Sequence, residues 1–448
     1  MPPTDHDASP SPELDPELDP TFGAPQVEDE PESRPGGLPL YVWVLIAVAV
    51  AIPLGMAWGE GAKSLQIIPN LVMRALTALA APLVVLAILY AIVANDIRGK
   101  QGGVMMLLYL VNTIVAMVIG LGMSNLIRPG EGASLGDVGE TQPVVQRTVA
   151  ELVTEMIPKS IGEAFATNNI AQLVVLTLAL GIGLVKIRDA RRVGGEEARE
   201  VQAVIDLLSI GFELMMKVLL WVIALVPFAV LGIVAAQVGQ KEGMRVFSSL
   251  IWLIAAVVLG LCCQVCWYLI QMAVMARMSP ARFLRGAADV MANTFSTAST
   301  AATIPITLGA LKRMGVSRPS SQLCACVGTN FNNDGTALYQ ATAALFMAQA
   351  LGYDLSLGDQ VIVMLTTLVA SVGAGGIPSG SFVTMPLIFA AVRLPIDKLP
   401  ILLTIDWFLD RCRTTSNVLG DMTVAVLVDR IAPPAAEAEA EATAIGAG

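Results

Sequence analysis

Residues 360–392 read QVIVMLTTLVASVGAGGIPSGSFVTMPLIFAAV, an uncharged run of 33 residues broken in its middle by four glycines and a proline. Glycine and proline are the poorest helix formers, so one continuous helix is disfavoured here. Each arm of about 12–15 residues is shorter than the roughly 20 residues that a helix needs to cross the hydrocarbon core. The run therefore predicts a re-entrant hairpin of two short helices.

A second broken segment lies earlier in the chain. Residues 291–311 are uncharged and are split by a Ser/Thr-rich stretch, STASTAATIP, which ends at Pro305. Each broken segment is followed by a span with polar residues in its middle, at 317–350 and 398–430. A hairpin and a span that occur twice with opposite orientation predict a binding site near the middle of the membrane.

The composition is typical of a membrane protein along most of the chain. Only 14% of the residues are charged and 55% are hydrophobic, whereas soluble domains average about 25% charged residues. Membrane spans before the first hairpin are predicted close to residues 39–58, 66–95, 103–127, 164–187, 203–236 and 244–276. Together these features predict an all-α polytopic membrane protein with eight transmembrane helices and two re-entrant helical hairpins.

The predicted organisation is one transporter domain, residues 38–430, between two acidic tails. The tails, 1–37 and 431–448, are rich in proline and alanine and poor in large apolar residues, which predicts disorder. The net charge of −10 comes mainly from these tails, and no basic patch indicates a nucleic-acid partner. Within the domain we predict spans 1–6 at 39–276, hairpin 1 at 283–314, span 7 at 317–350, hairpin 2 at 357–394 and span 8 at 397–430.

Basic residues between the predicted spans indicate the orientation. They cluster after the second, fourth and sixth spans, which places all three clusters on one side if the spans alternate. The clusters are Arg98 and Lys100, then Lys186, Arg188, Arg191, Arg192 and Arg199, then Arg277, Arg282 and Arg285. Because basic loops stay in the cytoplasm, we predict a multi-pass protein of the plasma (cell inner) membrane with both termini cytoplasmic.

Several classes of function are poorly supported. The single histidine, His6, lies in the acidic tail, so histidine-based acid–base catalysis is poorly supported. The six cysteines include one CxxC pair, Cys263 and Cys266, without a second pair, so a metal site of the zinc type is poorly supported too. An intramembrane aspartyl hydrolase that uses Asp410 and Asp421 is disfavoured, because three helical turns separate these carboxylates by about 16 Å. An ion channel is disfavoured too, because two hairpins suit an occluded site better. The chain is not predicted to be an enzyme.

Residues 401–430 read ILLTIDWFLDRCRTTSNVLGDMTVAVLVDR and carry charge at bilayer depth. At 100° per residue, one third of the helix circumference holds Asp406, Asp410, Arg413, Thr414, Asn417 and Asp421. Ionisable groups in a membrane usually face a cavity and pair with each other. Asp410 and Arg413 are one turn apart and can form such a pair, whereas Arg411 points away from this stripe.

Residues 327–340, VGTNFNNDGTALYQ, lie inside an otherwise apolar span. They bring together the poor helix formers Asn330, Asn332, Asn333, Asp334 and Gly335. An unwound turn here would free backbone carbonyl groups beside the Asp334 carboxylate. Such oxygens suit a hard monovalent cation such as Na⁺, since a divalent cation usually collects more carboxylates.

Four motifs resemble the excitatory amino acid transporter and dicarboxylate/amino acid:cation symporter family. They are TIP at 303–305, NNDGTALYQ at 332–340, SVGAGGIPSG at 371–380 and DWFLDRCRTTSNVLGD at 406–421. The resemblance extends from about 39 to 430. It implies a homotrimer with an inverted-repeat fold, in which a transport domain moves like an elevator past a fixed scaffold, and Na⁺ as the coupling ion without an organic cofactor.

The resemblance also implies which residues bind the substrate. Asp410 would hold an α-amino group and Arg413 a side-chain carboxylate. The remaining substrate contacts would come from Thr414, Asn417, Thr336 and the backbone around Ser299, Thr300 and Ile377. Family members specific for neutral amino acids lack the arginine, and a plain C4-dicarboxylate has no ammonium group for Asp410. We therefore expect aspartate or glutamate, with a C4-dicarboxylate or neutral amino acid symporter as the alternative.

Three Na⁺ sites are implied by the same resemblance. The first would use Gly328, Asn332, Asn417 and Asp421. The second would lie near Asn330, Ser371, Val372 and Ala374. The third would use Asn332, Asp334, Tyr109, Asn112 and Thr113. The chain departs from the family pattern at Asn333, where methionine is usual, at Asn112 and Ala374, where threonine is usual, and at Gln340, where the animal proteins have glutamate.

Overall fold

The computed structural model describes residues 39–94, 99–133, 154–193, 199–240, 243–373 and 380–434, so both predicted tails lie outside it. The regular structure of these residues is helical, without a strand. In chain order the α-helices are α1 (Leu40–Trp58), α2 (Ile67–Ala94), α3 (Gly99–Ile127), α4 (Ile161–Ala166), α5 (Ile170–Val193), α6 (Arg199–Ile223), α7 (Val226–Val238), α8 (Gly243–Val274), α9 (Pro280–Thr297), α10 (Thr300–Met314), α11 (Arg318–Phe331), α12 (Asp334–Ala350), α13 (Leu357–Gly373), α14 (Gly380–Ala391) and α15 (Leu403–Ile431). Two 3₁₀-helices, Gly59–Gln66 and Ile396–Leu402, precede α2 and α15.

Five helical stretches in the described residues are long and apolar enough to cross a membrane. They are Leu40–Val93, Gly99–Ile127, Ile170–Arg191, Glu200–Val238 and Arg245–Val274. Large apolar side chains on their outer faces are exposed, among them Leu126, Trp221 and Trp252. Such surfaces are costly in water and suit lipid, so the architecture is that of a multi-pass membrane protein. The first two predicted spans share one stretch, because the 3₁₀-helix Gly59–Gln66 joins α1 to α2.

Two predicted spans are interrupted in the structure. The fifth, 203–236, divides where α6 ends at Ile223 and α7 begins at Val226. Pro227 lies in the first turn of α7, where its missing N–H group costs no hydrogen bond. The seventh, 317–350, divides at Asn332 and Asn333, where the predicted unwound turn separates α11 from α12.

The two broken segments form pairs of short helices. In the first pair, the C-cap residue of α9, Ala298, has the left-handed conformation (φ 52°), and the Ser299 side chain then caps α10 by accepting from the Ala302 N–H at 3.2 Å. In the second pair, α13 and α14 pack against each other, while the residues between them lie outside the described ranges. Neither α13, with 17 residues, nor α14, with 12, reaches the length of a full span.

The polar helices lie in the interior. α12 is buried along almost its whole length, and α15 from Val418 to Val428. One apolar cluster involves α1, α2, α5, α7, α12 and α14, and a second involves α3, α8, α9, α11 and α15. The break between α11 and α12 and the charged stripe of α15 are therefore held against each other, away from the outer surface.

Candidate functional site

Arg413 is the centre of the charged stripe. Its side chain is 1% exposed, and its Nη2 donates to Asp406 Oδ1 at 2.8 Å and to Asp410 Oδ1 at 2.7 Å. Its Nη1 donates to Ser381 Oγ of α14 at 3.2 Å, and the guanidinium lies 4.2 Å from the centre of the Tyr339 ring of α12. Helical spacing places Asp406, Asp410 and Arg413 on one face of α15. The structure thus forms the Asp410–Arg413 pair that the stripe predicts, and adds Asp406 to it.

The two carboxylates differ in access. The Asp406 side chain is 7% exposed and that of Asp410 is 23% exposed. One guanidinium faces two carboxylates, so the cluster carries one negative charge more than it carries positive charge. The charges of Asp406 and Arg413 offset each other. Asp410 is the more exposed carboxylate, so it can exchange Arg413 for a cationic group of a ligand.

A third carboxylate of α15, Asp421, lies further along the helix, against the break between α11 and α12. Asn332 Nδ2 donates to Asp421 Oδ1 at 2.8 Å and to the Asn417 carbonyl oxygen at 2.9 Å. α11 packs closely against α15 and α3 at this point. A Cβ atom on Gly328 would lie 2.1 Å from Asp421 Oδ1 and 2.6 Å from the Tyr109 hydroxyl. The predicted residues Gly328, Asn332, Asn417 and Asp421 are thus brought together.

Asp334, the first residue of α12, is fully buried. Its carboxylate accepts from Thr113 Oγ1 at 2.7 Å, from the Tyr268 hydroxyl at 2.7 Å and from Gln264 Nε2 at 3.4 Å. Thr113 was predicted beside Asp334, whereas Tyr268 and Gln264 of α8 were not. In the part of the chain that the structure describes, no arginine or lysine forms an ion pair with Asp334 or Asp421. Both carboxylates are therefore buried without a cation from the described residues.

Three further predicted residues, Asn112, Tyr109 and Thr336, form hydrogen bonds with neighbouring helices. Asn112 Oδ1 accepts from Trp267 Nε1 at 3.0 Å and from Gln271 Nε2 at 2.6 Å, so its side chain is bound to α8. The Tyr109 hydroxyl donates to the Cys324 carbonyl oxygen at 2.9 Å. Thr336 Oγ1 accepts from Asn417 Nδ2 at 3.4 Å.

The hairpin residues are described only in part. Ser299 and Thr300 are half-buried at the start of α10, and Asn330 is half-buried near the end of α11. The Ser371 carbonyl oxygen accepts from Asn333 Nδ2. Val372 belongs to α13, and Ala374 and Ile377 lie outside the described residues.

Arg411 lies off the stripe, as the helical angle predicts. Its Nη1 donates to the Ser296 carbonyl oxygen at 3.2 Å, and its guanidinium lies 5.1 Å from the centre of the Tyr41 ring. It therefore contacts the end of α9 and the start of α1.

Some residues of the site were missed in the sequence although a signal was present. Gln264, Tyr268 and Gln271 recur at i, i+4 and i+7 in the apolar sixth span, which is one helical face. Tyr339 and Ser381 had no comparable signal, because their roles depend on how α12 and α14 pack against α15.

Comparison with known proteins agrees with the family resemblance of the four sequence motifs. A family model described as "Sodium:dicarboxylate symporter family" matches residues 40–431. Excitatory amino acid transporter 3 of Mus musculus is 27% identical over 446 residues, with 87% of this chain and 85% of the relative covered. A C4-dicarboxylate transport protein of Rhizobium etli is 28% identical over 420 residues, with 90% of this chain and 91% of the relative covered.

Proposed function

Because the chain belongs to the sodium:dicarboxylate symporter family, we propose that it carries aspartate or glutamate across the membrane together with Na⁺. The observation that carries the choice of substrate is the Asp406–Asp410–Arg413 cluster. As a member of a family of symporters, the protein is a transporter and not an enzyme.

The charges of the cluster favour an amino acid over a simple dicarboxylate. Arg413 can bind a carboxylate with paired N–H donors, which is the geometry that guanidinium groups prefer. When a ligand carboxylate takes Arg413, Asp410 loses part of its partner and needs another positive group. An α-ammonium group supplies that charge, and a C4-dicarboxylate does not. Asp410 therefore binds the ammonium end and Arg413 the side-chain carboxylate.

The rest of the substrate pocket surrounds this cluster. Asn417 lies one turn beyond Arg413 on α15, and its Nδ2 donates to Thr336 Oγ1 of α12 at 3.4 Å. In the proposal Asn417 contacts the α-carboxylate, with further contacts from Thr414, Ser299, Thr300 and Ile377.

Asp334 and Asp421 are buried, and no cation of the described helices pairs with them, which supports the proposal of Na⁺ binding. An isolated buried charge costs several kcal/mol, and a bound cation offsets that cost. In the proposal one Na⁺ binds Asp421 with Gly328, Asn332 and Asn417, and another binds Asp334 with Asn332, Tyr109, Asn112 and Thr113. A third binds near Asn330, Ser371, Val372 and Ala374.

Coupling follows from shared residues. Asn332 contacts both the Asp421 carboxylate and the Asn417 backbone, while the Asn417 side chain accepts from the Gly335 N–H at 2.8 Å. A cation at Asp421 therefore orders the same helix turn that binds the amino acid. Each ligand then favours the arrangement that the other needs, which gives coupling by differential affinity.

Further features of the proposal come from the family resemblance. The transporter is a homotrimer in the plasma (cell inner) membrane, with eight spans, two re-entrant hairpins and cytoplasmic termini. Alternating access proceeds by an elevator-type movement. Cross-linking of detergent-solubilised protein tests the trimer, and labelling of single cysteines tests the orientation.

C4-dicarboxylate transport is the second candidate, because relatives such as that of Rhizobium etli carry this name. Competition in proteoliposomes separates the candidates. With labelled aspartate and an inward Na⁺ gradient, we expect unlabelled aspartate or glutamate to block uptake. An equal concentration of succinate or serine should leave most of the uptake of labelled aspartate intact. Stronger competition by succinate than by aspartate would favour the second candidate.

We expect Gly328→Ala to weaken Na⁺ binding by at least about tenfold. The new methyl group would overlap Asp421 Oδ1 and must push the carboxylate away from Asn332. Na⁺ titration of aspartate binding measures the effect. Gly122→Ala in α3 is the matched control, since its Cβ would have no neighbour within 4 Å. Equal Na⁺ affinity in both variants would contradict the Asp421 site.

A further inference from the structure

Asn333 lies at the break between α11 and α12 and is 6% exposed. It occupies the N-cap position of α12, with φ −125° and ψ 43°, but its side chain makes no capping hydrogen bond. Asparagine at this position ordinarily caps its own helix. Here the buried amide is used for contacts with other elements.

The amide bridges two helices that are distant in sequence. Asn333 Nδ2 donates to the Ser371 carbonyl oxygen of α13 at 3.1 Å, and Asn333 Oδ1 accepts from Asn417 Nδ2 of α15 at 3.4 Å. Ser371 lies in the last turn of α13, where carbonyl groups lack partners within the helix. A donor is favourable there both for this reason and because a helix C-terminus carries partial negative charge.

We infer that Asn333 is a positioning residue that ties the end of α13 to Asn417 and lowers the Na⁺ concentration needed to hold them together. The inference rests on the proposed function and deepens it. Ser371 also belongs to a proposed Na⁺ site, so an N–H donor and a cation act at the same residue. The uncharged donor of Asn333 is permanent, whereas the cation is exchangeable.

Asn333→Asp tests the donor alone. The aspartate keeps the size of the side chain and an oxygen to accept from Asn417, but it presents a second oxygen to the Ser371 carbonyl. The two oxygens repel each other unless a cation lies between them. We expect the affinity for aspartate to fall at least tenfold at low Na⁺ and to return to within about twofold of the unsubstituted protein at saturating Na⁺.

Asn333→Leu separates this effect from packing. Leucine fills the site but has no oxygen to accept from Asn417 or to share a cation with the Ser371 carbonyl oxygen, so Na⁺ cannot restore these contacts. We expect a loss of about fivefold or more at both low and saturating Na⁺. Asn125→Asp is the matched control, because Asn125 forms side-chain hydrogen bonds with Gln360 near the opposite end of α13. Its Na⁺ dependence should equal that of the unsubstituted protein.

The measurement is isothermal titration of aspartate into purified protein at a series of Na⁺ concentrations, with the thermal unfolding midpoint of each variant. If Asn333→Asp loses the same factor at every Na⁺ concentration, or none, the inference is overturned. A parallel fall of affinity and midpoint in both Asn333 variants, independent of Na⁺, would show a packing role and would overturn it as well. An unsubstituted protein that binds aspartate without Na⁺ dependence would instead contradict the proposed function.

Discussion

Arg413→Ala is expected to lower aspartate uptake by about 100-fold or more. The variant loses the guanidinium that would bind the side-chain carboxylate, and loss of one partner of a desolvated charge pair costs about 2–5 kcal/mol. It also removes the guanidinium that pairs with Asp406 and Asp410. Initial rates of labelled aspartate uptake into proteoliposomes measure the effect, with binding of a neutral amino acid such as serine as the second readout.

A folding defect must be separated from a loss of recognition. The double variant Arg413→Ala/Asp406→Asn also removes one of the two negative charges that Arg413 offsets, so it should recover thermal stability. We expect it to remain inactive with aspartate and to bind serine at least as well as the unsubstituted protein. Undiminished aspartate uptake by Arg413→Ala would contradict the assigned role of Arg413.

Asp421→Asn is expected to weaken Na⁺ binding by about 100-fold or more and to abolish uptake driven by a Na⁺ gradient. The asparagine keeps the shape and one oxygen, but it removes the negative charge that the cation would neutralise. A charge–charge contact in a poorly solvated site contributes several kcal/mol, far more than a neutral oxygen ligand. Na⁺-dependent thermal stabilisation of the purified protein measures the loss of binding.

Asp359→Asn is the matched control for this charge. Asp359 is also buried, at 8% exposure, but it accepts from the Ser356 N–H and hydroxyl at the start of α13. Asparagine at this third position of α13 keeps a side-chain oxygen that can accept from the Ser356 N–H, so Na⁺ affinity should change by less than about twofold. Equal Na⁺ affinity of Asp421→Asn and the unsubstituted protein would exclude Asp421 as a cation ligand.

The family could be predicted from the sequence, and the match over residues 40–431 confirms it. The four motifs at 303–305, 332–340, 371–380 and 406–421 carried that prediction. Helical character also followed from composition, since long uncharged stretches exclude a soluble globular chain. The division of the fifth predicted span at Pro227 could have been read from the proline itself, which favours the first turn of a new helix.

The local part of the site was more predictable than the part formed by packing. Helical spacing alone brings Asp410 to Arg413 and moves Arg411 off the stripe. The contacts of Ser381 and Tyr339 with Arg413 could not be predicted, because they depend on how three separate helices pack. The bridge from Asn333 to Ser371 has the same origin, since 38 residues separate the two positions.

The central claim is that Na⁺ and an acidic amino acid bind as a coupled set. Titration of aspartate into the purified protein at increasing Na⁺ concentration tests it most directly. We expect the apparent dissociation constant to fall steeply, with a slope above one on logarithmic axes, because more than one Na⁺ accompanies each amino acid. Aspartate affinity that does not change between Na⁺-free and Na⁺-saturated buffer would contradict the account.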